Sequence, residues 1–456
     1  MKKLDMYTGN LRYENIEFTF VFDGKKLKLI PPKKENAKKW LGKRVGKIFK
    51  IEEKLVGECN ETSGRIIFVP VKARVELFSL ILTVDVKYYI VGTFVEGLTG
   101  RIAIQGPEID HIYPTTIALE RQEIGEGGVV NIGLKPLSET SSEKEVFKVG
   151  DKEVKIYFGI GVSVDYGVGK APLGLNSVLF LEFEPTEDYD FIIKLLELSK
   201  NFIRYLCYRR DIVFASVELS TPTPDALYRP LAMIYECGES DKDVDLSKGE
   251  RSVKYEYIKG VVGRIMEDIL GGKMYLEHIP DTYKSGRRIN AGRFVMITAG
   301  FEWEFKRNYP GGVKKDEGTL AAEEGAAEAL SKLVNSSSGK LKGIFKFLKK
   351  LIRSDSLELK IVQYGKDYGE ISNIFGDYLY ELNGESLRYP EMGKRLSKQR
   401  NNFAHGNIDQ KFEGLALLDL MYLEYIIYIM QLKFCGIEDG NAKRAVNDLF
   451  GCHMSM

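Results

Sequence analysis

The segment from Pro390 to Phe434, PEMGKRLSKQRNNFAHGNIDQKFEGLALLDLMYLEYIIYIMQLKF, decides the fold of the second half of this chain. Its first part, Pro390–His405, has apolar residues at helical spacing, which predicts an amphipathic helix that ends before Gly406. Its second part, Phe412–Phe434, is apolar nearly all round, which predicts a helix buried in a core. The apolar stripe of the first helix consists of Met392, Leu396 and Phe403.

The same 3.6-residue period is present from Tyr255 onward. Clusters of glycine, proline, serine and asparagine at Pro310–Gly312, Ser336–Gly339 and Asn383–Gly384 separate the periodic segments. The second half is therefore expected to be all-helical. Its other predicted helices are Tyr257–Leu270, Ile289–Asn308, Thr319–Val334, Leu341–Leu351, Ile361–Leu382 and Asn441–Phe450.

The first 170 residues show a different pattern. Short segments rich in β-branched and aromatic residues alternate with turn signals such as Asp23-Gly24. This pattern predicts antiparallel strands in a sandwich or a barrel. The predicted strands are Glu17–Phe22, Arg65–Val71, Val75–Val84, Tyr88–Phe94, Arg101–Ile104 and Val154–Phe158.

A segment of mixed pattern joins these halves. It predicts a strand at Ser177–Phe183, a helix at Tyr189–Tyr208, and strands at Ile212–Leu219 and Leu227–Glu236. We therefore expect an α+β protein with a β-rich N-terminal half and an all-α C-terminal bundle. The expected domains are residues 1–170 and 171–285, which together form a sensor or regulatory half, and residues 286–456.

Composition narrows the functional classes. The 456 residues carry a formal net charge of +1, so any surface that binds nucleic acid must be local. Five scattered cysteines without a C-x-x-C pair argue against a disulfide framework and favour the cytoplasm. The N-terminus lacks the apolar core of a signal peptide, and three charged residues interrupt the apolar segment Leu415–Cys435. We expect no association with a membrane.

No pattern in the sequence predicts a metal ion or a cofactor. The glycines near Lys170 do not form a P-loop, because Ala171 stands where serine or threonine is required. Aspartates alternate over Asp241–Asp245 as in a calcium loop, but Leu246 occupies the position that needs glycine. We therefore expect chemistry without a metal.

Arg400 and His405 are the residues that carry chemical information. Arginine is a permanent cation that binds phosphate, and histidine titrates near neutrality, so the pair has what metal-free RNA cleavage requires. His405 would act as general base toward a ribose 2′-hydroxyl or as general acid toward the leaving 5′-oxygen. Arg400 would stabilise the charge on the reacting phosphate. The alternative is a structural role, in which both residues cap a helix end and pair with an acid such as Asp409.

Helix geometry constrains this pair. Five residues correspond to about 140° around a regular helix, so Arg400 and His405 do not face one ligand from a single helix. The helix can unwind before His405, which Gly406 permits, or two copies of the motif can meet across a two-fold axis, and the two arrangements are compatible. The second arrangement would supply two histidines, one for each proton transfer.

Neighbouring charged residues have two readings each. Lys394, Arg395 and Lys398 either guide an RNA backbone or form a solvated helix face. Glu302 and Glu304 lie in a predicted helix rich in phenylalanine and tryptophan. One of them either provides a buried partner for Arg400 or lies on the surface.

The segment Lys340–Arg353, KLKGIFKFLKKLIR, is a basic amphipathic helix by its pattern. We expect it to be a core helix with a solvated basic face. The alternative is a helix that lies on a membrane surface or binds a partner.

The hexapeptide Arg400–His405, RNNFAH, resembles the R-x(4–6)-H motif of the HEPN superfamily. Phe412–Phe434 is similar to the last core helix of that fold, and Thr298–Tyr309, TAGFEWEFKRNY, resembles its opening helix. The resemblance covers Ile289–Phe450. It implies a metal-independent ribonuclease that acts as a homodimer or higher oligomer with paired motifs and produces 2′,3′-cyclic phosphates. Arg400 and His405 would be catalytic, and Asn401 would be a supporting polar residue. Some relatives have a tyrosine where this chain has Asn407.

The front half looks like the N-terminal region of ApeA-type anti-phage defence proteins. The resemblance lies in Tyr88–Gly106 and Ser177–Leu206. It implies a role in abortive infection, with a phage-derived trigger binding the N-terminal half. The alternatives are a HEPN-like module that binds RNA or dimerises without catalysis, and a structural scaffold.

Overall fold

The computed structural model describes residues 3–32, 35–62, 64–76, 78–92, 98–121, 132–164, 173–225, 227–237, 251–352, 354–404 and 411–455. The fold is mixed α/β, with a β-rich N-terminal half and helices in the C-terminal half, as the sequence predicts. Two compact units are formed. The first comprises Met1–Ile203, Asp211–Glu250 and Val262–Glu267, and the second comprises Arg204–Arg210, Arg251–Val261 and Asp268–Met456.

The elements of the N-terminal half are mostly antiparallel strands. The α-helices among its described residues are α1 (Glu35–Gly42), α2 (Pro107–Ile112) and α3 (Tyr189–Cys207). Its strands are β1 (Tyr7–Tyr13), β2 (Ile16–Phe22), β3 (Lys26–Ile30), β4 (Ile48–Phe49), β5 (Leu55–Cys59), β6 (Gly64–Val75), β7 (Leu82–Gly92), β8 (Thr99–Gln105), β9 (Leu119–Arg121), β10 (Ile132–Leu134), β11 (Glu145–Val149), β12 (Lys152–Val164), β13 (Leu173–Thr186), β14 (Ser216–Pro222) and β15 (Tyr228–Glu236).

Six of these strands close into a barrel in the order β1-β2-β3-β7-β6-β5. Alternate residues point inward and build an aromatic core, because side chains on a strand have a period of two. The seam between β1 and β5 is tight. A Cβ at Gly9 would lie 1.8 Å from the carbonyl oxygen of Glu58, so glycine is required there. The core includes Phe18, Phe20, Phe22, Leu27, Leu29, Phe68 and Tyr89.

Beyond the barrel, the sheet continues from β7 through β15, β14, β8, β13 and β12 to β11. Helix α3 lies against this part of the unit through an apolar face. Its buried Lys200 donates hydrogen bonds of 2.8 and 2.7 Å to the two carboxylate oxygens of Glu236 on β15. Phe191 of α3 packs edge-on against Phe183 of β13, with ring centroids 5.1 Å apart.

The predicted strand Val75–Val84 is wrong. Strand β6 ends at Val75 and β7 begins at Leu82. The chain turns between them, where the Glu76 amide donates to the Ile81 carbonyl over 2.9 Å and Leu80 has a φ of 56°. The Glu76 carboxylate accepts hydrogen bonds from Ser79 and Thr83, which stabilises the turn. Because the turn itself contains several apolar residues, the sequence pattern did not indicate that the chain reverses here.

The helices of the C-terminal half agree with the predicted ones to within a few residues, except that Tyr257–Leu270 is divided and that the short helix Tyr283–Gly286 was not predicted. Gly260, at a φ of 82°, separates the two parts. The helices are α4 (Tyr255–Ile258), α5 (Val262–Leu270), α6 (Tyr283–Gly286), α7 (Ala291–Asn308), α8 (Glu317–Ser336), α9 (Gly339–Ile352), α10 (Leu357–Glu381), α11 (Tyr389–Ala404), α12 (Ala416–Phe434) and α13 (Asp439–Phe450).

Helix α12 is the centre of a bundle that it forms with α7, α10 and α11, and α13 packs on α12 and α10. Of its 19 residues, 14 are buried, so α12 is a core helix on nearly every side. This confirms the prediction made from its apolar sequence. Among the described residues, no helix combines the length and the apolar character needed to cross a bilayer.

Helices α8 and α9, which follow α7 and precede α10 in the sequence, pack on each other as a hairpin. Ala327 is the buried residue of α8, and none of the 14 residues of α9 is buried. The interpretation of Lys340–Arg353 as a core helix is therefore wrong over Gly339–Ile352, and Arg353 lies outside the described residues. The periodicity identified a helix correctly but did not reveal that its apolar face has no cover within the described part of the chain.

Substitution of Gly393 in α11 tests how closely this helix packs on α10, and Gly343 in α9 serves as the control. At Gly393 a Cβ would lie 2.8 Å from the Cα of Glu358 in α10, whereas at Gly343 in α9 nothing lies within 4 Å. We predict that Gly393→Ala lowers the free energy of unfolding by about 1–3 kcal/mol, because the backbone of α10 must move. Gly343→Ala should leave stability unchanged or raise it by up to about 1 kcal/mol. Urea unfolding measures both, and equal effects would contradict the close approach of α10 and α11.

Candidate functional site on helix α11

Helix α11 is held on the bundle by its apolar stripe. Met392, Leu396 and Phe403 are buried, as the helical spacing predicts. The ring of Phe403 lies 5.4 Å from that of Phe294 on α7 and 5.3 Å from that of Phe412. This packing fixes the rotation of the helix and leaves Lys394, Lys398 and Asn401 exposed, whereas Gln399 is buried.

Arg400 lies at the flank of this stripe and forms an ion pair with α7. Its Nη2 atom is 2.6 Å from Oε2 of Glu302, whose other oxygen, Oε1, accepts a hydrogen bond of 3.0 Å from Lys360 of α10. Glu302 is therefore the partner of Arg400, as one of the two alternatives predicted, but its side chain is partly exposed and not buried. Glu304 has a different role, because it is fully buried and accepts a 3.0 Å hydrogen bond from Gln431 of α12.

The cluster Arg400–Glu302–Lys360 keeps a formal charge of +1, since one carboxylate serves two cations. The side chain of Arg400 remains 35% exposed, compared with 22% for Glu302 and 19% for Lys360. A guanidinium has five N–H donors, and the contact with Glu302 involves one of its nitrogens. The cluster is therefore a cation held in place from one side and accessible to an anion such as a phosphate.

The lysines of α11 are accessible. Lys394 lies 3.9 Å from Glu358 and Lys398 lies 2.8 Å from Glu413, and both side chains are about two-thirds exposed. Surface ion pairs of this kind contribute little, about 0–1 kcal/mol, and do not prevent the lysines from contacting another anion. Asn401 is exposed on the same helix.

Arg395 has a structural contact that its sequence context does not show. Its Nε and Nη2 atoms each donate a 2.7 Å hydrogen bond to the carboxylate of Asp419, and Tyr380 donates to the same carboxylate. The side chain of Asp419 is fully buried in α12, and burial raises the pKa of its carboxyl group. Arg395 therefore clamps α11 to α12. The one signal in the sequence was an aspartate inside an apolar helix, which needs a buried partner.

His405 lies outside the described residues, together with residues 406–410, which include Asp409. The residues on either side of this segment are in contact with each other. Phe412 packs on Phe403, and the amide of Glu413 donates a 3.2 Å hydrogen bond to Gln399 Oε1. Phe412 and Glu413, which follow the segment in the sequence, are thus held against the helix that carries Arg400.

The glycine-rich stretch at residues 165–172 and the acidic tract at residues 238–250 also lie outside the described residues. Within the part of the chain that the structure describes, no group of three or more His, Cys, Asp or Glu residues is placed to hold a metal ion.

His278 is a buried residue whose environment the sequence did not predict. Its ring lies 5.7, 5.9 and 6.2 Å from the rings of Tyr208, Tyr275 and Tyr428. Neither ring nitrogen has a hydrogen-bond partner within the described residues. Burial, with Arg293 and Arg210 nearby, lowers the pKa of His278 to about 3. This histidine is neutral at physiological pH and forms part of an aromatic core.

The chain matches no protein-family model, no curated protein and no solved structure.

Because Arg395 is bound to a buried carboxylate and Lys394 is exposed, substitution of the two residues should affect stability to very different extents. Arg395→Ala leaves the Asp419 carboxylate buried without its cation, which should lower the free energy of unfolding by about 3–5 kcal/mol. Lys394→Ala should change it by less than about 0.5 kcal/mol, because Lys394 is exposed. Denaturant unfolding of both variants checks this. A negligible loss for Arg395→Ala would show that the clamp does not support the bundle.

His278 predicts a pH dependence of stability. Between pH 6.5 and about 3 the unfolded chain binds a proton at this histidine and the folded chain does not, so stability falls as pH falls through this range. His278→Phe removes the titration and keeps a ring of similar shape. We expect its stability advantage over the parent chain to grow by about 2 kcal/mol between pH 7 and pH 5. A pH-independent difference between the two proteins would argue against a buried neutral histidine.

Proposed function

We propose that this protein is a metal-independent endoribonuclease of the HEPN type, of the ApeA kind, that acts in anti-phage defence by abortive infection. The observation that carries the proposal is the position of Arg400. It is a partly exposed cation on a bundle helix, oriented by Glu302, and it precedes His405 by five positions in the sequence. The RNNFAH motif and the bundle of α7, α10, α11 and α12 support the same assignment.

In the proposed reaction, the ribose 2′-oxygen attacks the adjacent phosphorus atom and the bond from phosphorus to the 5′-oxygen breaks. One His405 side chain takes the proton of the 2′-hydroxyl, and a protonated His405 gives a proton to the leaving 5′-oxygen. Arg400 binds the non-bridging oxygens and stabilises their charge in the transition state. The products are a 2′,3′-cyclic phosphate and a 5′-hydroxyl, with no water consumed.

Other residues of the cluster have supporting roles in this proposal. Glu302 holds the guanidinium of Arg400 in one orientation, and Lys360 keeps the local charge positive. Lys394 and Lys398 bind the RNA backbone on either side of the scissile bond, and Asn401 provides a polar contact. Arg395 acts through the position of α11, because its guanidinium is already bound to Asp419.

We propose further that two subunits form the active enzyme, so that two copies of the motif supply the two histidines. A ribonuclease that harms its own cell requires restraint. The β-rich N-terminal half is therefore the proposed site at which a phage-derived trigger acts, and the cytoplasm is the proposed location.

Cleavage in the absence of metal tests the proposal. Labelled RNA is incubated in EDTA with the purified protein, alone and with extract from phage-infected cells. We expect cleavage to 2′,3′-cyclic phosphate ends, with a rate about 10²–10³-fold lower for Arg400→Ala and lower by at least 10² for His405→Ala. Arg444→Ala, which removes an exposed arginine from α13, is the matched control and should retain full activity.

The competing functions give different results. An RNA-binding module predicts that the parent chain and the Arg400→Ala, His405→Ala double variant bind RNA equally and that neither cleaves it. A structural scaffold predicts that RNA does not bind and that Arg400→Ala mainly lowers the melting temperature. Cleavage that persists in the double variant would show that another site is responsible.

A further inference from the structure

Helix α9 presents an apolar surface that has no cover in the described chain. Its sequence, GKLKGIFKFLKKLI, contains five lysines and no acidic residue. Exposed apolar side chains are unusual as a group on one helix, although single ones are common. The five exposed apolar residues are Leu341 (51%), Ile344 (54%), Phe347 (62%), Leu348 (39%) and Leu351 (47%).

These five residues share one face. At 100° per residue they occupy an arc of about 120° on the helix. Four of the five lysines, Lys342, Lys346, Lys349 and Lys350, lie outside that arc, whereas Lys340, in the first turn, falls within it. Phe345 and Ile352, at one edge of the arc, are less exposed than the five, in keeping with the packing of α9 on α8. The apolar face that remains is therefore directed away from the contact with α8.

The hairpin is fastened at its base, so this face does not depend on a loose segment. Lys315, which precedes α8, forms ion pairs with Glu323 (2.7 Å) and with Asp355 (3.0 Å), and Asp355 follows α9. The amide of Val313 donates a 2.8 Å hydrogen bond to the same aspartate. The start and the end of the hairpin are thereby tied together, and α9 can bind a surface without rearrangement of the bundle.

We propose that α9 binds the surface of a membrane that contains anionic lipids, with its apolar face at the level of the acyl chains and its lysines at the headgroups. An anionic bilayer satisfies both features at once, since it covers the apolar arc and neutralises the lysines. RNA would neutralise the lysines but would leave the five apolar side chains exposed to water. A second copy would cover the apolar face but would bring ten lysines together. This inference is independent of the ribonuclease proposal, and it replaces the expectation from the sequence that the protein does not associate with a membrane.

Vesicle flotation tests the inference with the full chain. We expect binding to vesicles of phosphatidylcholine and phosphatidylglycerol (3:1) and at least tenfold weaker binding to pure phosphatidylcholine. Raising the salt concentration should weaken the first interaction. The triple variant Ile344→Ser, Phe347→Ser, Leu351→Ser and the double variant Lys346→Glu, Lys350→Glu should each lose at least tenfold in affinity.

A matched control carries the same kinds of change elsewhere. Lys366→Glu with Leu382→Ser alters an exposed lysine and a 67% exposed leucine outside α9 and should bind vesicles like the parent chain. Melting curves of the two α9 variants should match that of the parent chain, because no residue of α9 is buried. Arg400→Ala should also bind normally, which separates this result from any failure of the proposed cleavage.

Three results would overturn the inference. The first is equal binding of the parent chain and the triple variant to the anionic vesicles. The second is a dimer, seen by light scattering, that the triple variant abolishes while no form binds vesicles. The third is RNA binding that depends on Lys346 and Lys350 while no form binds vesicles.

Discussion

A single buried carboxylate determines how the helical bundle is assembled. Asp419 lies in the first turn of α12, where its side chain has no access to water, and Arg395 and Tyr380 bring the hydrogen bonds that it requires. Since these partners come from α11 and α10, three helices meet at one polar point inside an apolar core. An unpaired charge there would be costly, so the contact restricts which arrangements of the helices are stable. The register of α11 that places Arg400 beside Glu302 and Lys360 is compatible with this clamp.

The sequence predicted local structure well because local structure follows periodicity. The stripe Met392, Leu396 and Phe403 was identified from spacing alone, and all three residues are buried. Contacts between different helices were harder to predict from the sequence. Glu302 was recognised as one of two candidates for Arg400, but Lys360, which shares its carboxylate, comes from a third helix and leaves no signal at the motif. Arg395 looked like a residue of the solvated face because its partner, Asp419, lies 24 residues further along the chain.

The strands show the same limit. Strand β2, with the alternating sequence IEFTFVF, was predicted, whereas β1, β3 and β5 of the same barrel were not. Those three strands contain fewer apolar residues or are interrupted by glycine. They form strands because each is hydrogen-bonded to a neighbouring strand of the barrel on both sides. The glycines that weaken the pattern are required by the fold, since at Gly9 a side chain would collide with β5. Tertiary pairing thus outweighed local propensity, as is usual for strands.

Two arginines five residues apart on α11 illustrate how burial separates structural from functional charge. Each contacts a carboxylate, at 2.7 Å for Arg395 and 2.6 Å for Arg400. The carboxylate of Asp419 is fully buried, so removing Arg395 from it would be expensive, about 3–5 kcal/mol, and no incoming phosphate can compete. Glu302 is partly exposed and is also held by Lys360, so water screens its attraction for Arg400 and the pair contributes only about 0–1 kcal/mol. A phosphodiester can therefore engage Arg400 at little cost while Glu302 keeps the guanidinium oriented. Arg395 is therefore fixed because its partner Asp419 is buried. Arg400, on the same helix, remains available to a phosphate because water reaches its partner Glu302.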